Sequence, residues 1–75
     1  MHRYMNLSGN SGVLAFEIAP GQITVQFERS GYYLYTDASA GAANIAQMQS
    51  LAQAGRGLGT FIKQSVNKGY VRKWR

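Results

Sequence analysis

Cysteine is absent from this 75-residue chain. Disulfides, thiolate metal sites and thiol nucleophiles are excluded with it. Histidine occurs once, as His2, and acids occur three times, as Glu17, Glu28 and Asp37. A Ser-His-Asp triad, a multi-histidine metal cage or a metal-cradling carboxylate cluster needs more of these groups than the chain supplies. The residue inventory therefore points away from an enzyme and toward a binding or interaction module, with no cofactor, metal or small-molecule substrate expected. No apolar segment follows Met1, so no secretory signal is read there, and the expected location is cytoplasmic. The longest uncharged run, Ala38 to Gly55, is interrupted by Asn44, Gln47, Gln49 and Gln53. Such a run does not make a membrane span, and no membrane partner is expected.

What the chain does have is positive charge, and all of the excess lies in one place. Of the net charge of +5, residues 1–55 hold Arg3 and Arg29 against three acids, a balance of −1. Residues 56–75 hold Arg56, Lys63, Lys68, Arg72, Lys73 and Arg75 with no acid, a balance of +6. Clustered cations without acids suit a polyanionic partner, whereas a solvated basic tail would only aid solubility.

The length allows one domain, spanning residues 1–75. Leu14, Phe16 and Ile18 alternate with Ala15, Glu17 and Ala19, the period of a strand. Pro20-Gly21 then supplies the fixed φ and the positive φ that a type II turn requires. Ile23, Val25 and Phe27 alternate with Thr24, Gln26 and Glu28, and a turn at Arg29-Ser30-Gly31 leads to the β-formers Tyr32 to Thr36. The second half reads as two helices. Asp37 or Ser39 can cap the first, near residues 40–54, where Ile45, Met48, Leu51 and Ala52 share a face and Gly55 ends it. The second runs over residues 57–68 with Leu58, Phe61, Ile62, Ser65 and Val66 inward, Arg56, Thr60, Lys63 and Asn67 outward, and Gly69 as its stop. The expected fold is α+β: a three-stranded antiparallel β-meander followed by two α-helices packed on one sheet face. Its ordered core is expected at about residues 12–70, with 1–11 and 71–75 outside it.

Phe27, the tyrosines Tyr33 and Tyr35 flanking Leu34, an alanine-rich helix and a Phe61-Ile62 helix closing at Tyr70 resemble the KTSC domain. This is a small bacterial module that also occurs at the C-terminus of some lysyl-tRNA synthetases. The likeness covers about residues 11–70, and tyrosine-x-tyrosine in mid-sequence is its hallmark. The glycine that precedes the tyrosines by three residues in that family is Ser30 here. The resemblance implies RNA binding and no catalytic activity.

Three constellations bear on such a role. If Arg29-Ser30-Gly31 is a three-residue loop, Phe27 faces Tyr33, and both tyrosines pack in the core with Ile23 and Val25. A two-residue Ser30-Gly31 loop instead sets Phe27 opposite Leu34 and turns the tyrosines to the wet face as a base-stacking platform. Residues 55–59, with glycines at 55, 57 and 59 around Arg56, read as a tight helix–helix turn or as a phosphate cradle opening a helix. Tyr70 to Arg75 interleave cations with aromatics, which suits single-stranded RNA; Val71 and Trp74 can alternatively fold back onto the core. The resulting expectation is sequence-nonspecific RNA binding with Arg56, Lys63, Lys68, Arg72 and Lys73 on phosphates and Tyr33, Tyr35 and Trp74 as stacking candidates. The alternative is a protein-interaction module or homodimer, since a chain this short buries only roughly 60% of its unfolded surface and leaves strand edges open.

Overall fold

The period-two segments fold into one antiparallel sheet, seen in a computed structural model that describes residues 1–7, 9 and 12–75. Ser8, Asn10 and Ser11, part of the loop expected near the start, lie outside the described residues. The strands β1 (His2–Arg3), β2 (Val13–Ala19), β3 (Gln22–Phe27), β4 (Gly31–Thr36) and β5 (Tyr70–Trp74) pair in chain order. The fold is α+β as expected, but among the described residues the meander has five strands rather than three. Both chain ends, expected outside the ordered core, supply the edge strands. Tyr4, which follows β1, explains the first: it is buried, its amide donates to the Leu14 carbonyl at 2.9 Å, and its hydroxyl accepts from the Leu58 amide at 3.2 Å. Those bonds carry the start of the chain across the sheet to the helical half.

Register departs from both forms of the β3–β4 turn read from the sequence. Phe27 faces Gly31, so the loop is Glu28-Arg29-Ser30, and Val25 faces Tyr33 while Ile23 faces Tyr35. This is two residues away from the three-residue form, and a shift of two preserves the facing. The tyrosines accordingly lie on the same side as Ile23 and Val25. Gly31 adopts φ +92°, and a Cβ built there would run into the Trp74 carbonyl oxygen. Only glycine allows β5 to approach so closely at that point. A second departure occurs at the start of β2, where a bulge between Val13 and Ala15 leaves Leu14 43% exposed and gives its core position to Val13.

A short helix α1 (Asp37–Ala40), capped by Thr36, precedes the helix expected near residues 40–54, whose own start at Gly41 takes no side-chain cap from Asp37 or Ser39. The Thr36 hydroxyl accepts from the Ser39 amide at 3.2 Å, and the Ser39 hydroxyl accepts from the Thr36 amide at 3.0 Å. This reciprocal box satisfies two otherwise orphaned amides. Gly41 separates α1 from α2 (Ala42–Ala54), which buries Ile45, Met48 and Ala52 and ends at Gly55 with φ +79°, as expected. Gln49 on α2 donates to the carbonyls of Ala19 (3.1 Å) and Gln22 (2.9 Å), pinning the helix to the Pro20-Gly21 turn. That role explains an amide where a solvent-facing helix would carry lysine or glutamate.

The last helix begins as α3 (Leu58–Phe61) and widens into a π-turn over Ile62–Val66, closed by the Asn67 amide donating to the Ile62 carbonyl. Leu58, Ile62 and Val66 are buried, while Ser65, expected inward, is exposed because the widened turn rotates it outward. These helical residues join Tyr4, Val13, Phe16, Ile23, Val25, Tyr35 and the α2 stripe in one core. Gly31→Ala is expected to cost about 1–3 kcal/mol through its strained φ and the Trp74 carbonyl. Urea denaturation would measure this, with the amides of β5 losing hydrogen-exchange protection before those of β3.

Candidate functional site

Strand β5 decides which side each C-terminal cation occupies. Lys73 faces Tyr33 and Tyr70 faces Tyr35, on the helix-covered side, whereas Arg72 faces Leu34 and Trp74 faces Tyr32 on the other. A bulge between these pairs leaves Val71 unpaired and exposed, which is why the tail shows no clean alternation in sequence.

On the covered side, a cleft of about 450 Å³ opens between β4, β5 and the π-turn. Tyr33, Tyr35 and Tyr70 line it, together with Phe27, and Lys63, Lys68 and Lys73 stand among its walls. The lysines come from three places: the π-turn, the turn before β5, and β5 itself. All three are exposed. The Lys73 ammonium lies 5.9 Å from the centroid of the Tyr70 ring, a cation–π distance that holds the head over the aromatic wall. Among the described residues that line the cleft there is no carboxylate. A second hollow of about 390 Å³ shares Ser30, Tyr33 and Lys73 and adds Arg29 and Arg75.

The tyrosines form a packed wall. Tyr33 meets Phe27 edge-on at 5.1 Å and Tyr70 edge-on at 4.9 Å, and it lies 6.5 Å from Tyr35. These geometries are favourable aromatic contacts and engage the ring from several sides. Tyr35 is 1% exposed, so neither of its ring faces is open to a base. For Tyr35 the packing reading holds and the stacking one does not, because it is a core residue; Tyr33 is half-buried, packs against the core and lines the cleft. The Tyr35 hydroxyl is another matter. It has no hydrogen-bond partner among the described residues, yet no buried side-chain oxygen lacks one. The small exposed area of Tyr35 must then include its oxygen, and the residue is part of the cleft wall. Burial pushes its pKa well above the ordinary tyrosine range, with the neighbouring Tyr33 and Tyr70 phenols adding to the rise. The group thus stays neutral and keeps a proton to donate.

The other cations named from the sequence lie elsewhere. Arg56 is exposed on the turn between α2 and α3, outside the cleft. Arg72 sits on the open sheet face with its guanidinium 4.9 Å from the Trp74 ring centroid. Trp74, 37% exposed, stacks on Tyr32 at 5.6 Å with planes 13° apart. It is thus an aromatic–cation cluster separate from the cleft. The glycine bend is a turn rather than a cradle: Gly55 and Gly57 take positive φ to reverse the chain, and the Leu58 amide is already bonded to Tyr4. Tyr70, Arg29 and Arg75 were not singled out as site residues by sequence reasoning. Tyr70 had a signal in its aromatic character, but its place opposite Tyr35 depends on recognising β5.

Among the described residues no group of three His, Cys, Asp or Glu comes together as a metal site, and no helix is long and apolar enough to cross a membrane. Comparisons with protein-family models, curated proteins and solved structures found nothing that matches this chain.

The raised pKa of Tyr35 has a sign that can be tested. Below the ordinary tyrosine value of 10.0 the phenol is protonated in both folded and unfolded chains, so it makes no pH-dependent contribution. Above it the unfolded chain releases the proton first, and stability falls as pH rises further. Tyr35→Phe is expected to remove that part of the alkaline loss, read as a smaller fall in urea midpoint between neutral and strongly alkaline solution.

Proposed function

We propose that this chain is a KTSC-like, non-catalytic module that binds single-stranded RNA by its phosphates, in the cleft rimmed by Lys63, Lys68 and Lys73. One observation carries this reading: three lysines from separate segments line a cleft walled by tyrosines, and its described lining contains no acid. Ammonium and neutral phenol groups hold an anion by charge and hydrogen bonding, without a code for base identity. Arg72 with Trp74 on the far face offers a secondary contact, and Arg56 takes no part. Self-association is the weaker reading. β1 has two residues, and pairing along β5 would bring Arg72 and Lys73 close to the same charges of a second copy. The setting that fits an RNA ligand is the cytoplasm.

If three cations contact phosphates, affinity for a short single-stranded RNA should fall roughly twentyfold between about 50 and 200 mM salt. Each of Lys63→Gln, Lys68→Gln and Lys73→Gln should weaken binding and flatten that salt slope, while Arg56→Gln should leave both unchanged. Fluorescence anisotropy would report them. No binding even at the lower salt would remove the RNA proposal.

A further inference from the structure

We infer that the cleft is built for the terminal phosphate of a nucleic-acid strand, a phosphomonoester, rather than for the phosphodiesters along it. The inference rests on the phosphate-binding reading above and specifies which phosphate the site takes. Its basis is the hydroxyl of Tyr35, whose side chain is 1% exposed and whose oxygen has no partner among the described residues. A donor on a side chain so nearly buried is reached most readily by oxygens that project ahead of the rest of the ligand. An internal phosphodiester has two oxygens bonded onward to sugars and two free ones. A terminal phosphate has one ester bond and three free oxygens, all of which can be presented to the lysines and the phenol together.

Charge argues the same way. Lys63 and Lys68 stand on the helical side and Lys73 on the strand side, with no carboxylate among the described lining residues. Three ammonium groups match a phosphomonoester, which carries about −1.5 to −2 at neutral pH, better than a singly charged diester. The size agrees as well: about 450 Å³ lies toward the small end of the range for ligand clefts, enough for the end of a strand. The aromatic walls are engaged with one another, so recognition falls on the phosphate and not on a stacked base. Tyr35 remains neutral and can donate to a phosphate oxygen without adding negative charge beside it.

The experiment compares one short RNA sequence in three forms, with a 5′-phosphate, a 3′-phosphate or hydroxyls at both ends, and inorganic phosphate as competitor. One phosphorylated form is expected to bind about tenfold tighter than the hydroxyl form, and inorganic phosphate should erase that advantage. Tyr35→Phe, which keeps the ring in the core, should bring the affinities of the phosphorylated and hydroxyl forms close to one another, removing most of the advantage. Lys73→Gln, on an exposed side chain, is a second test of the same advantage should the core variant fail to fold. Equal binding of all three forms, with salt dependence still reduced by the lysine variants, would overturn the end preference and leave the phosphate-binding reading standing. An advantage retained in both variants would also overturn it. Failure of every form to bind at low salt would remove both.

Discussion

The approach of β5 to β4 at Gly31 is the contact on which the cleft depends. A Cβ at that position would meet the Trp74 carbonyl, and the positive φ of Gly31 suits no other residue as well. Because the two strands come together there, Lys73 falls opposite Tyr33 and Tyr70 opposite Tyr35. Without that pairing the last residues would be a basic tail of no fixed side. With it, one lysine is delivered to the covered face and one arginine to the open face by the alternation of the strand. The cleft follows from this pairing on one side and from the π-turn that carries Lys63 on the other.

The core and the cleft share residues, and this sharing defines the chemistry. Tyr35 packs among Ile23, Val25 and the helical stripe as a large apolar body, and it also lines the cleft that Lys63, Lys68 and Lys73 line. A phenol in that position combines a packing role with a donor that burial keeps protonated. The edge-on contacts of Tyr33 with Phe27 and Tyr70 stiffen the wall against which an anion would rest. The core and the cleft wall therefore draw on the same aromatic cluster, while the rim lysines are exposed and can be changed without touching the core.

Much of the local structure was legible from residues alone. The alternation in Ile23, Val25 and Phe27, the Pro20-Gly21 turn, the Ile45–Met48–Ala52 stripe and the Gly55 stop each rest on a local rule, and each is present. Misreadings occur where a local rule met a longer-range contact. Leu14 was read as inward until a bulge gave its place to Val13. Ser65 was read as inward until the π-turn rotated it out. The two edge strands were read as loose ends because β1 is short and the bulge at Val71 hides the alternation of β5. The candidate site shows the same division. Lys63, Lys68 and Lys73 were among the cations named from the sequence, but nothing local separated them from Arg56 and Arg72.

Sequence by itself determined the α+β character, the concentration of positive charge in residues 56–75, and the shortage of acids and histidine. Those are properties of composition and of short-range periodicity, and no partner strand is needed to express them. Tertiary structure alone decided the β3–β4 register, the docking of β5, and which cations look onto the tyrosines. The reason is geometric: a strand presents its side chains alternately to two faces, so a cation's side depends on bulges and on its pairing partner. Both are set by backbone approaches between segments far apart in the chain.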